Sequence, residues 1–143
     1  MTRRAHQSQR RQVLGGIAGG LLMGLGSQSA KAAPSGKPIR IGGTLSLTGP
    51  LAQTALLHKI AGETFVDIIN EGNGLLGRPV QWILLDDQSK PEVTRSLYEK
   101  LITVDKVDLI VGPYATNSIL AAMGVAQRYG KVIIQSSMGI PRL

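Results

Sequence analysis

Hydroxyl side chains recur at four points where an apolar run of the sequence ends. These segments are residues 46–50, 86–89, 113–118 and 135–139. Their hydroxyl and amide members are Ser46, Thr48, Thr116, Asn117, Ser118, Ser136 and Ser137. Few charges accompany them, so the chemistry on offer is hydrogen bonding to a small polar molecule. This pattern indicates binding of a ligand rather than its chemical conversion.

Residues 116–118 lie directly before a predicted helix. There the Thr116 hydroxyl and the free backbone N–H groups of a helix start could hold an anionic group. Alternatively, Thr116 or Asn117 simply caps the helix. One residue can serve both purposes, so both interpretations stay open. Ser136 and Ser137, beyond another strand end, offer a second place of the same kind.

Asp86 and Asp87 are the one adjacent pair of carboxylates, and such a pair can act as an acid and a base or hold Mg²⁺. Neighbouring residues at a strand end point to opposite sides, however, so the two would not naturally share a proton or a metal. We therefore expect a capping or turn-forming role. The alternative is an exported α/β enzyme that uses Asp86 or Asp87 as its acid or base.

Other catalytic and cofactor signals are missing from the sequence. It has no G-x-S-x-G elbow, no G-x-G-x-x-G loop and no G-x-x-x-x-G-K-[ST] loop. It also has no cysteine, and His58 is the one histidine after the leading segment. We predict no catalytic residue, no metal site and no cofactor.

The segments that would position these residues alternate between strand and helix patterns. Apolar runs predict strands at 39–45, 80–85, 108–112 and 132–134, and a 3.6-residue period predicts helices at 55–70, 91–104 and 119–129. Ser89 and Glu92 have the spacing of a capping box for the second helix. Three of the four strands lack polar alternation, which is typical of strands covered on both faces. The predicted fold class is α/β, an open parallel β-sheet with helices on both faces.

The first 32 residues read as an export signal. They carry a charge of +5, whereas residues 33–143 hold 11 basic and 9 acidic side chains. Arg10 and Arg11 precede an apolar run too short to span a bilayer, and Ala30-Lys31-Ala32 is a small-x-small cleavage site. The pattern predicts a signal peptide over 1–32, of the twin-arginine type or else a Sec signal, and a flexible lead-in over 33–38.

This charge distribution also bears on partners and location. Without the leading segment the chain has no basic field for a polyanion, so no nucleic-acid partner is predicted. No cysteine follows the signal to accept a lipid. We expect a soluble periplasmic protein without a lipid anchor, exported by the twin-arginine or Sec machinery.

Three stretches resemble one known family: "IRIGGTLSLTGPLAQ", "INEGNGLLGRPVQWILLDDQSKPE" and "DKVDLIVGPYATNSILAAMGVAQRYGKVIIQSS". They are similar to the periplasmic substrate-binding proteins of branched-chain amino-acid ABC transporters, which have the type I periplasmic binding fold. The resemblance implies a two-lobed protein that delivers a small solute, an amino acid or an amide-like molecule, to an ABC permease in the inner membrane. Residues 39–143 would then be part of the N-terminal lobe, and without a second lobe we expect weak or absent binding.

The resemblance also implies roles for individual residues. Thr116 looks like the hydroxyl that binds the solute's carboxylate, and residues 137–139 look like a loop that adds backbone contacts. Thr54 stands where leucine-binding members use an aromatic ring, a departure that puts a leucine-like solute in doubt, and Tyr114 would supply an aromatic surface instead. The expected ligand-binding residues are Thr48, Thr54, Tyr114, Ala115, Thr116, Ser136, Ser137 and Met138.

Overall fold

A computed structural model describes residues 33–135 of the chain. Within this range strands and helices alternate strictly, as the apolar periodicity predicts. The elements are β1 Ile39–Leu45, α1 Ala52–Glu71, β2 Val80–Asp86, α2 Pro91–Thr103, β3 Leu109–Val111, α3 Thr116–Arg128 and β4 Ile133–Ile134.

The four strands form one sheet in the order β2-β1-β3-β4, and all neighbouring pairs are parallel. Successive glycines of β1 show that both faces are covered. A Cβ on Gly42 would lie 2.9 Å from Val107 Cγ1, on the side of α2, whereas Gly43 faces Trp82. The Trp82 ring in turn lies against Gly62 of α1. The predicted α/β class, with helices on both faces of a parallel sheet, is confirmed.

The two faces of the sheet are packed unequally. Helices α2 and α3 pack on each other and on one face, around a buried cluster formed by Tyr98, Leu101, Val107, Ile110, Ala122 and Val125. On the other face stands α1, of which only Ala55 is buried. The strong core therefore lies on the α2–α3 side, and the α1 side is only half closed.

Element bounds differ from the predicted ones by up to three residues, and some elements are longer than predicted while β3 and β4 are shorter. Helix α1 begins at Ala52, three residues before the predicted start, and α3 begins at Thr116 rather than at residue 119. Strand β2 runs on to Asp86 because its register with β1 pairs Leu45 with Asp86. The pairing of Leu45 with Asp86 at the ends of β1 and β2 brings the following loops side by side.

Candidate functional site

The carboxyl ends of β1, β2 and β3 meet at one edge of the sheet because the strands are parallel. The loops that follow are residues 46–51, 87–90 and 112–115. This edge includes Thr48 in the β1–α1 loop, Thr54 in the first turn of α1, Tyr114 and Ala115 in the β3–α3 loop, and Thr116 at the start of α3. Ser136, Ser137 and Met138 lie outside the described residues, so their predicted role stays a prediction.

Thr48 is bound to Asp86 by two hydrogen bonds. Its hydroxyl donates to Oδ2 over 2.7 Å, and its backbone N–H donates to Oδ1 over 3.1 Å. The N–H of Gln88 donates to the same carboxylate over 2.9 Å. Burial acts to raise the pKa of Asp86, but hydrogen bonds from Thr48 and Gln88 outweigh it, so the pKa lies below its ordinary value. The proton of the Thr48 hydroxyl is thus engaged by Asp86.

Asp87 points into the protein and has its own set of partners. Its buried carboxylate accepts hydrogen bonds from the Thr44 hydroxyl at 2.8 Å, the Ser46 hydroxyl at 2.7 Å and the Ser89 N–H at 3.0 Å. The two adjacent aspartates therefore serve separate sets of donors, as expected from their opposite directions. Both form turns in this structure, and a fully buried carboxylate has no direct access to a substrate.

Ser89 does not form the predicted capping box with Glu92. The residue that precedes α2 is Lys90, and no side chain caps this helix. Instead the Ser89 hydroxyl donates to the carbonyl of Thr48 over 3.1 Å and accepts from the N–H of Leu51 over 3.3 Å. The capping prediction is wrong because a contact with the β1–α1 loop engages the hydroxyl. The corner at 87–89 is thus a scaffold that holds the loop at 46–51.

The start of α3 is left without a side-chain cap, so the alternative interpretation, that Thr116 or Asn117 caps the helix, is wrong. Ala115 precedes the helix with φ 82° and ψ 132°, a backbone conformation that residues with a Cβ rarely adopt. Within residues 33–135, the N–H groups of Thr116, Asn117 and Ser118 and the Thr116 hydroxyl have no hydrogen-bond partner. Three backbone donors and one hydroxyl therefore stand at the positive end of a 13-residue helix.

Tyr114 contacts a residue that the sequence did not mark as part of the site. Its ring lies 4.9 Å from the ring of His58, centroid to centroid, with the two planes inclined by 46°. The Nδ1 atom of His58 lies 3.0 Å from the carbonyl oxygen of Thr54, one helical turn earlier. Since a carbonyl only accepts, Nδ1 carries the proton in this contact. His58 thereby connects the predicted site residues Thr54 and Tyr114, a contact without a local sequence signal.

An apolar cavity of about 520 Å³ opens beside this ring pair, between α1 and the sheet. Its walls include Leu45, Phe65, Val66, Trp82, Val111 and Pro113. Glycines at 43, 62 and 112 also line it, and they leave room where side chains would project. The hydroxyl-rich edge therefore borders a predominantly apolar space.

Residues 33–135 contain no group of three side chains that could hold a metal ion. None of the helices in this part of the chain has the length and the hydropathy that crossing a bilayer requires.

Comparison with known proteins identifies the class to which this fold and edge belong. The sequence profile of the family described as "Periplasmic binding protein" matches residues 38–142. The match covers most of the chain, and the chain belongs to the periplasmic binding protein family.

Three individual proteins are similar to this chain. BasB, a chemotactic signal transduction system substrate-binding protein of Halobacterium salinarum, is 29% identical over 76% of this chain and 27% of its own length. The Leu/Ile/Val-binding protein BraC3 of Rhizobium johnstonii is 30% identical over 73% of this chain and 28% of its own. The crystal structure of LivJ from Streptococcus pneumoniae, in complex with isoleucine, matches with a TM-score of 0.68 and 28% identity over 71% of this chain.

The chain spans less than a third of each of these proteins, 27% of BasB, 28% of BraC3 and 29% of LivJ. The matched part contains the four-stranded parallel sheet with its flanking helices, in agreement with the predicted type I periplasmic binding fold. BasB and LivJ are substrate-binding proteins, and BraC3 is a Leu/Ile/Val-binding protein.

Proposed function

We propose that this chain is part of the solute-binding lobe of an extracytoplasmic receptor for an ABC uptake transporter. Its solute is an amino acid or a related small polar molecule, amide-like compounds included. The observation that carries the proposal is the uncapped start of α3, where the N–H groups of residues 116–118 and the Thr116 hydroxyl have no partner among the described residues. These donors suit a carboxylate.

The remaining edge residues supply the rest of a half-cleft. Tyr114, in contact with His58, offers an aromatic surface, and the carbonyl oxygen of Thr54 lies 3.0 Å from Nδ1 of the same histidine. Thr48 contributes the oxygen of its hydroxyl, whose proton goes to Asp86. Ser136, Ser137 and Met138 would add contacts from the segment after β4. LivJ in complex with isoleucine and the Leu/Ile/Val-binding BraC3 support an amino acid as the solute class.

Location and partners follow from the same role. Residues 1–32 would direct export by the twin-arginine or Sec route, residues 33–38 would be a lead-in, and the part from residue 39 on would work in the periplasm without a lipid anchor. The receiving partner would be an ABC permease in the inner membrane.

Binding is favoured over catalysis by the state of the two carboxylates. Asp87 is fully buried under three hydrogen bonds, and Asp86 accepts three more from Thr48 and Gln88. An acid–base pair requires two carboxyl groups that are both accessible to a substrate, and Asp86 and Asp87 do not form such a pair. An assay at constant pH that finds turnover of an amide, abolished by Asp86→Asn, would contradict this part of the proposal.

The test is an NMR titration of the full chain with L-isoleucine and, separately, with acetate, because amide shifts report even millimolar binding. We expect the largest shifts at the backbone amides of residues 116–118. Thr116→Val should weaken the response several-fold, while Thr103→Val, on an exposed helical threonine bonded to Glu99, should leave it unchanged. Shifts absent from residues 116–118, or equal in both variants, would overturn the proposed binding edge.

A further inference from the structure

His58 lies where the second turn of α1 meets the loop between β3 and α3. Its ring is 4.9 Å from the Tyr114 ring, centroid to centroid, and the two planes are inclined by 46°. Aromatic rings at this distance attract each other in tilted arrangements, so the contact holds the two elements together. Because the β3–α3 loop leads directly into α3, the contact lies next to the donors that we assign to the solute.

The imidazole of His58 is itself held by the helix that carries it. Its Nδ1 atom lies 3.0 Å from the carbonyl oxygen of Thr54, and a carbonyl can only accept, so the proton of this hydrogen bond is on Nδ1. A hydrogen bond to the backbone of the same helix restricts rotation of the ring. The imidazole therefore presents a fixed face to Tyr114.

The residues just before Tyr114 are held by other elements. The Tyr98 hydroxyl of α2 donates to the carbonyl of Val111 over 2.6 Å, and the Gln135 side-chain amide donates to the carbonyl of Pro113 over 3.2 Å. Within the described part of the chain no hydrogen bond reaches Tyr114, the next residue along the loop. The ring contact therefore continues the anchoring of the loop, from the α1 side.

Ala115, the residue between this contact and α3, needs such support. It adopts φ 82° and ψ 132°, and strained backbone of this kind persists only where the surrounding structure fixes it. The N–H groups of residues 116–118 follow directly and have no partner among the described residues. Because the Thr116 N–H belongs to the peptide unit that joins it to Ala115, relaxation at Ala115 would turn this donor away from the other two.

We propose that His58 is a positioning residue for solute binding. Its ring holds Tyr114, and through Tyr114 it keeps Ala115 in the strained conformation that aligns the three N–H donors of residues 116–118. The inference rests on the proposed function, because these donors are the ones assigned to the solute's carboxylate. His58 acts through Tyr114 and does not have to touch the carboxylate itself.

Two substitutions separate the contacts of the imidazole. His58→Phe keeps an aromatic ring against Tyr114 but removes the hydrogen bond to Thr54, whereas His58→Ala removes both contacts. A ring that positions the loop should therefore act in the first variant and be lost in the second. Leu57→Ala is the matched control, because the neighbouring Leu57 side chain is 68% exposed and its truncation leaves both contacts in place.

NMR spectroscopy of the solute-free full chain tests the loop first. The three-bond coupling between the HN and Hα protons of Ala115 reports φ at this residue. We expect His58→Phe and Leu57→Ala to keep the wild-type coupling, and His58→Ala to change it as Ala115 populates negative φ values. Tyr114→Leu removes the same ring contact from the loop side and should change the coupling likewise, which keeps the test decisive if His58→Ala does not fold.

Titration with acetate, followed at the amides of residues 116–118, tests the consequence for binding. The apparent Kd rises in inverse proportion to the fraction of molecules whose loop is in the binding conformation, so His58→Ala should raise it at least about threefold. His58→Phe and Leu57→Ala should stay within about twofold of the wild type.

The outcomes separate this inference from the function on which it rests. A wild type that does not respond to acetate would overturn the proposed binding edge and the inference with it. A wild type that responds, together with an unchanged Ala115 coupling or an unchanged Kd in His58→Ala, would overturn the inference alone.

Discussion

The Thr44 hydroxyl donates a 2.8 Å hydrogen bond to the Asp87 carboxylate, and the two residues are 1% and 0% exposed. The bond joins the end of β1 to the corner after β2. Ser46 and Ser89 complete the cage around the same carboxylate. Buried hydrogen bonds therefore support the edge that we propose for solute binding, and they fix the positions of its loops.

Asp87→Asn should lower the free energy of unfolding by about 2 kcal/mol, because an amide cannot accept from both hydroxyls and the N–H as a carboxylate does. Urea denaturation of the full chain measures the difference. Asp67→Asn, at an exposed position on α1, is the control and should change stability by less than about 0.5 kcal/mol. Equal losses in the two variants would show that the cage contributes little.

The pH dependence of stability should contain a contribution from Asp86. Burial acts to raise the pKa of Asp86, but hydrogen bonds from Thr48 and Gln88 bring it below the ordinary value of 3.8. Because the folded pKa is the lower one, the ionised group stabilises the fold above the unfolded pKa, and this stabilisation is lost as the pH falls through the folded pKa.

Asp86→Asn should therefore be less stable than the wild type at neutral pH, by about 1 kcal/mol, and the gap should narrow in acid. Denaturation curves between about pH 2 and pH 7 span the titration of a carboxyl group and measure the gap. A gap that is constant across this range would mean that the Asp86 charge is not responsible.

Ala115→Gly should raise the free energy of unfolding by about 1 kcal/mol. Ala115 adopts φ 82° and ψ 132°, a conformation that costs about 1–3 kcal/mol for a residue with a Cβ and much less for glycine. Thermal denaturation measures the change. Arg95→Gly, at an exposed position of α2, should lower stability by about 1 kcal/mol, and the opposite signs of the two changes distinguish relief of strain from a general effect of glycine.

Gly49→Ala should be strongly destabilising because two features act at one position. Gly49 has φ +88°, and an added Cβ would lie 2.7 Å from the Ser89 hydroxyl and 2.9 Å from the Gln88 carbonyl oxygen. Gly77 is the matched control, with φ +74° but nothing within 4 Å of an added Cβ. We expect Gly49→Ala to lower the free energy of unfolding by at least about 1 kcal/mol more than Gly77→Ala does, as measured by chemical denaturation. Similar losses of stability in the two variants would mean that the positive φ alone, without a steric clash of the added Cβ, accounts for the effect.

The fold could be predicted from the sequence because its signals are local. Apolar runs and helical periodicity predict all seven elements of the described range, with errors of a few residues at their ends. Adjacent aspartates at a strand end predict two separate environments, and Asp86 and Asp87 have them. These features depend on neighbours in the chain, which a sequence displays directly.

The contacts that complete the edge are not local. Ser89 and Glu92 match a capping pattern, yet the Ser89 hydroxyl bonds to Thr48, 41 residues earlier. His58 and Tyr114 come together only because α1 and the β3–α3 loop meet beside the same strand ends. Such contacts depend on the three-dimensional arrangement of elements and have no spacing rule along the chain.

Trp82 is the one tryptophan of the chain, and its ring lies against Gly62 and lines the apolar cavity. The protein thus contains its own optical probe of the half-closed side of the sheet. Any occupant that displaces water from that space should shift the indole emission towards the blue and slow its quenching by acrylamide. A fluorometer can follow this without a label.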